Sequence, residues 1–205
     1  MKSLKKLSII LAIMMFSIVM VSCSKPKTTP VEGTQILLDM IFKDDKSNIS
    51  KIGMSDADYK EFRDALEKGY VQAFAQDPTG NTISKEDQEK LKNAIFTGLA
   101  KIEYEVSEIS QDKDTAKVEV KIKGFDVDKI VNDGTGKITE AVFANPSISE
   151  AELMKLSTDI VSEGFANGVF IEQPKSLTLD LNLENNMWVP SETGIYNFMA
   201  EAVSN

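Results

Sequence analysis

The chain has 205 residues, 42% of them hydrophobic, with 23 basic against 32 acidic side chains and a formal net charge of −9. Its length suits one domain, and an acidic chain without a basic stripe argues against nucleic acid as a partner. With no histidine and a single cysteine, Cys23, the sequence excludes Ser-His-Asp and Cys-His catalysis, zinc sites built on imidazole or several thiolates and any intramolecular disulfide. No metal site and no cofactor are expected.

The chain opens on MKSLKK, three lysines without an acid, followed by the apolar run Leu7 to Val21 interrupted only by two serines. A cationic start and an apolar stretch of this length form a secretory signal, because a membrane span needs roughly 20 apolar residues. The run ends on MVSC, with the small Ser22 directly before Cys23. This segment resembles a bacterial lipobox, with Met20 where the pattern usually has leucine. The resemblance implies cleavage after residue 22 and a diacylglyceryl group on the Cys23 sulfur. Two or more acyl chains make a stable anchor, since each buried CH₂ contributes about 0.8 kcal/mol. The expected partner is therefore a lipid bilayer, with the domain on the extracytoplasmic side of the cell membrane. Cleavage removes Lys2, Lys5 and Lys6, so the remaining chain is more acidic still.

Residues 23–34 then read as the lipidated cysteine and a tether, on the two prolines and small polar residues of Ser24 to Gly33. A single domain is expected over 35–205. Ile36, Leu37, Met40 and Ile41 have helical spacing. A second helix is predicted from Ser55, with Asp58 as its capping-box acid. Tyr59, Phe62, Leu66, Tyr70 and Phe74 form its stripe, and QDPTGN ends it. Ser84 and Asp87 repeat the signal ahead of Leu91, Ile95 and Leu99.

The period then changes to two. Ile102, Tyr104 and Val106 alternate with Glu103, Glu105 and Ser107; after the QDKD turn, Ala116, Val118, Val120 and Ile122 alternate with Lys117, Glu119, Lys121 and Lys123. One acidic and one lysine-rich outer face favour antiparallel neighbours. Next, DVDKIVND and KITEAVFAN predict two short helical pieces around a break at Gly134 and Gly136. Ser149 and Glu152 start a helix carrying Leu153, Leu156, Ile160 and Phe165, closed by Asn167-Gly168. Leu177, Leu179, Leu181 and Leu183 mark a third strand, Asn185-Asn186 a turn, MWVP a fourth strand, and SETGIYNFMAEAV a last helix. The expected class is α+β, with helices on one face of an antiparallel meander.

The stretches FKDDKSNISKIGMSDADYKEF, AKVEVKIKGFDVDKI and NNMWVP resemble a family of lipoproteins of Gram-positive bacteria that carries a domain of unknown function. The resemblance spans most of the chain after Cys23. It implies a cystatin-like or nuclear-transport-factor-like curved sheet, and it brings no activity or site residues with it.

Candidate chemistry is sparse. NDGTGKIT imitates a calcium loop but puts Val131 and Val142 in the first and last ligand positions, and QDPTGNTISKED offers Gln76 and Pro78 as ligands. Ser110 and Lys113 form a Ser-x-x-Lys pair in a hairpin turn, and Gly134 and Gly136 lack the frame of a phosphate cradle. Asp126 with Asp128, or Glu103 with Glu105, would do acid–base work only if a cleft gathered them. Of the aromatics Phe62, Tyr70, Phe74, Tyr104, Phe165, Phe170 and Trp188, helical spacing assigns the first members to the core. Tyr70, Tyr104 and Trp188, each with a polar handle, are the ligand-binding candidates. The favoured reading is a non-catalytic anchored module that binds a small ligand or an envelope protein; the alternative is a surface-anchored hydrolase using carboxylates.

Overall fold

A computed structural model describes residues 26–73 and 83–203. The signal segment 1–22, Cys23, Phe74 and the QDPTGN stretch lie outside the described residues.

The first helix, α1 (Pro30–Phe42), begins inside the stretch read as tether. Proline at its first position has no N–H to leave unsatisfied, and the Thr29 side chain accepts from the Glu32 N–H at 3.1 Å. Thr28 and Gly33 are buried, and a Cβ on Gly33 would stand 3.5 Å from Trp188 Cβ. The Pro-rich segment is thus a helix start packed on the domain. After a 3-10 turn (Ile49–Ile52) come α2 (Asp56–Ala73) and α3 (Lys85–Leu99). Both caps predicted from serines are present. Ser55 N–H donates to Asp58 Oδ2 at 2.9 Å while Asp58 N–H donates back to Ser55 Oγ, and Asp87 N–H donates to Ser84 Oγ. The Ser55 bonds hold the Asp58 carboxyl below its usual range, the side-chain bond most.

Strands β1 (Tyr104–Gln111) and β2 (Thr115–Ile122) form the expected hairpin, with Val106 opposite Val120 and a bulge between Glu108 and Ser110. The chain then leaves the sheet for α4 (Val127–Ala144) and α5 (Glu150–Asn167). Where two pieces broken at Gly134 and Gly136 were predicted, α4 runs unbroken for 18 residues. Each glycine costs a helix about 1 kcal/mol against alanine, but Gly134 is buried with Ile160 Cγ2 only 3.2 Å from where its Cβ would be. Packing against α5 decides the outcome. The capping box of α5 is complete between Ser149 and Glu152, and Gly168 closes the helix at φ 73°, a conformation glycine adopts without penalty.

β3 (Lys175–Glu184) returns beside β2, pairing Val118 with Leu179 and Val120 with Leu177. Asn185 and Asn186, at φ 51° and 65°, turn it into β4 (Met187–Pro190), and α6 (Glu192–Ala202) follows. The described sheet is a four-stranded antiparallel meander in the order β1-β2-β3-β4. Ala116, Val118, Val120, Ile122, Leu177, Leu179 and Leu181 are buried on one face together with Leu38, Met40, Ile41 and Ile195 of the helices. The other face carries Lys117, Lys121, Thr178 and Asp180, with Lys117 Nζ 2.8 Å from Asp180 Oδ1. Burying a large aliphatic side chain contributes about 1.5–3 kcal/mol, so the alternating rows of β2 and β3 set which face the helices cover. No described helix is long and apolar enough to cross a membrane.

Candidate functional site

The densest polar constellation lies where α1 ends. A helix leaves its last carbonyls without partners. Here Arg63 of α2 supplies them: Nη1 donates to the carbonyls of Met40 and Ile41 at 3.1 and 3.3 Å. Its Nε sits 3.0 Å from Asp44 Oδ1, and its guanidinium lies 4.9 Å from the centre of the Phe96 ring. Only a planar fork can do all three, which a lysine cannot. Asp44 holds φ 53° just past the helix end and also accepts from the Tyr59 hydroxyl at 2.5 Å.

A second tyrosine–aspartate pair stands alongside. The Tyr104 hydroxyl donates to Asp39 Oδ1 at 2.5 Å, and Gln35 Nε2 reaches Asp39 Oδ2 at 3.4 Å. Lys43 Nζ is 3.8 Å from the same carboxylate and 4.9 Å from the centre of the Tyr104 ring, which is tilted against Phe42 at 5.7 Å. Burial first, then the bonds to Asp39 and Asp44, push the phenols of Tyr104 and Tyr59 well above their ordinary pKa. Both tyrosines are therefore held as neutral donors to their aspartates at physiological pH. The cluster ties the exit of α1 to α2 and β1. Toward solvent it shows Asp44 and Lys43, with Arg63 only 11% exposed beneath them.

Of the three residues predicted to bind a ligand, Tyr104 belongs to this cluster. Tyr70 is buried on α2, edge-on to Phe96 at 5.1 Å, and its hydroxyl has no hydrogen-bond partner among the described residues; burial raises its pKa. Trp188 is a core residue on β4 at the opposite edge of the sheet. Tyr104 aligns through Ile122 with Lys175, whereas Trp188 pairs with Leu183. The two are thus separated by roughly 26 Å along the strands and about 14 Å across them. The three do not line one pocket mouth.

The other candidates take structural places. Phe62 and Phe165 are buried and Phe170 half-buried, stacked with Phe125 at 5.2 Å. Glu103 and Glu105 are exposed, and Asp126 caps α4 by accepting from the Lys129 N–H at 2.9 Å. NDGTGKIT lies within α4 and forms no loop. An open depression of about 420 Å³ runs along one face of α2, lined by Ala57, Lys60, Glu61, Asp64, Ala65 and Lys68, with Lys60 paired to Asp64. Among the described residues, no group of three or more acidic or thiol side chains is placed to hold a metal ion.

Sequence reasoning missed Asp39, Lys43, Asp44, Tyr59 and Arg63 as a unit. One signal was available: Arg63 is the single arginine in the chain.

These elements define an α+β domain with helices on one face of an open antiparallel meander. A family model described as Domain of unknown function (DUF5105) matches residues 20–192, and the chain belongs to that family. Among solved structures it is similar to a Bacillus subtilis protein, ycdA, described as a "putative lipoprotein", with 19% identity and a TM-score of 0.65. The match covers 88% of this chain and 56% of that one, so this chain spans little more than half the length of its structural neighbour. At that identity the likeness concerns the fold. No curated protein matches the chain.

Proposed function

We propose that this protein is an extracytoplasmic lipoprotein, held at the cell membrane by a diacylglyceryl group on Cys23, whose domain is a non-catalytic module for a small ligand or an envelope protein. The observation that carries the reading is the state of the α1-exit cluster. Its two aspartates already accept from tyrosine hydroxyls, its arginine is committed to carbonyls and a carboxylate, and its tyrosines are held neutral. Such a cluster presents a rigid, preorganised mixed-charge surface, suited to recognition rather than proton transfer. The description of the structural neighbour as a lipoprotein supports the anchor, as does the MVSC segment. The cystatin-like reading of the fold draws support from α1 lying against β1, β2 and β4 of one antiparallel meander.

Metabolic labelling with a fatty-acid probe tests the anchor. The wild-type chain is expected in the membrane fraction with label, and Cys23→Ala in the soluble fraction without it; retained label in the variant refutes the anchor. Capture from envelope extract, comparing wild type with Lys43→Glu, tests the recognition surface. Equal capture by both would remove the cluster from consideration.

A further inference from the structure

The fold uses up nearly all of the segment read as a tether. Pro26 is half-buried, Thr28 is buried, and Thr29 already caps α1. Thr28 Oγ1 and Trp188 Cβ lie 3.3 and 3.5 Å from where a Cβ on Gly33 would be, so the chain is packed on α1 and β4 from Thr28 onward. Only Ser24 and Lys25 stand between Cys23 and Pro26. Three extended residues span at most about 11 Å, and the five from Cys23 to Thr28 about 18 Å. The headgroup layer on one side of a bilayer is itself roughly 5–8 Å thick. A diacylglyceryl group roots Cys23 at the inner boundary of that layer. Pro26 is then held within a few ångströms of the outer boundary, and the folded domain begins there.

The charges at this end suit a lipid surface. Lys25 and Lys27 are the charged residues between Cys23 and α1, and Lys27 is exposed. Glu32, in the first turn of α1, is paired with Lys51 at 2.8 Å. Both lysines fall within reach of headgroup phosphates, where the attraction acts over a Debye length of about 8 Å. The β1 edge, on the other side of the sheet, is acidic, with Glu103, Glu105 and Glu108 all exposed. Ser107 in that strand aligns through Glu119 with Thr178, whereas Trp188 pairs with Leu183. The β1 edge at Ser107 is therefore roughly 16 Å along the strands and 14 Å across them from the Trp188 end. An anionic bilayer attracts the first end and repels the second.

We infer that the domain is seated directly on the bilayer by the end that carries Lys27, Thr28 and the first turn of α1, with the β1 edge turned outward. The inference rests on the Cys23 anchor. It adds an orientation: α1 is about 20 Å long, and its exit lies on the β1 side, where Tyr104 meets Asp39. The α1-exit cluster is thus displayed on the side away from the lipid, open to a partner arriving from outside the membrane.

The full lipidated chain, reconstituted in phosphatidylcholine–phosphatidylglycerol vesicles with a headgroup-linked quencher, tests the seating. Lipidation blocks the Cys23 thiol, so a fluorophore is attached through one added cysteine, Ser50→Cys beside Lys51 or Ser107→Cys on β1; both positions are exposed. Quenching at 50 is expected to be at least threefold stronger than at 107. Inserting about twenty Gly/Ser residues after Lys25 adds a span of about 25 Å. The insertion should lower quenching at 50 at least threefold and leave the melting temperature unchanged. Equal quenching at the two positions, stronger quenching at 107, or no loss after the insertion would each overturn the seating while the chain still floats with the vesicles. A chain that fails to float with them overturns the anchor, and the seating with it.

Discussion

Replacing Gly98 with alanine tests the close crossing of α3 and α5. A Cβ there would lie 2.2 Å from the Phe165 carbonyl oxygen on α5 and 2.8 Å from two ring carbons of Phe125. Ordinary contact begins at 3.4 Å, so α3 and α5 must part by more than about 1 Å. A radial gap of 0.5–1 Å forfeits roughly a quarter to a half of each dispersion well, and Phe125 and Phe165, edge-to-face at 4.8 Å, pack at this crossing. Overpacking of this kind costs about 1–3 kcal/mol, and contact with backbone rather than a flexible side chain places it at the upper end. The helix-propensity gain of about 1 kcal/mol offsets part of it. The expected net loss is about 2 kcal/mol, or roughly 4–8 °C in melting temperature for a domain of this size. The matched control is Gly136→Ala, where nothing stands within 4 Å of the new methyl. It should stabilise α4 by about 0.5–1 kcal/mol. Thermal and urea unfolding followed by circular dichroism reads both. An unchanged midpoint for Gly98→Ala would mean that α3 and α5 are not so close, and a destabilised Gly136→Ala would mean that α4 breaks at its glycines.

The hairpin gives a second contrast: Val120→Asp buries a charge at a fully enclosed position and should cost several kcal/mol, enough to unfold the domain, whereas Lys121→Asp on the exposed face should change stability by less than about 1 kcal/mol. Tolerance of the first with loss of folding in the second would shift the register by one residue. Alkaline pH supplies the third test. Tyr59, Tyr70 and Tyr104 have pKa values raised in the folded state, against about 10 when unfolded. Their contribution is therefore fully present below about pH 10 and lost as pH rises above it, because the unfolded chain releases those protons first. Tyrosinate absorbance from these three should rise together with loss of helix signal; independent titration near pH 10 with the fold intact would contradict the burial of the phenols.

Local chemistry alone determined much of this fold. Ser55, Ser84 and Ser149 cap where they were expected to, because an N-cap needs only its own side chain and an N–H three residues on. The alternation of β2 and β3 fixed which side chains point inward, since successive residues on a strand face opposite ways. What the sequence could not show depends on partners distant along the chain. α4 runs through two glycines because α5 covers one of them, and the first turn of α1 is packed on the domain because Trp188, more than 150 residues later, lies against Gly33. The return of β3 beside β2, across two intervening helices, follows the same rule. So does the one site candidate. Tyr104 carried a visible polar handle, but its acceptor Asp39 lies 65 residues earlier, and the arginine that organises the neighbouring aspartate lies on another helix. Caps and alternation are short-range and written in adjacent residues, whereas the α1-exit cluster exists only once the core has brought α1, α2 and β1 together.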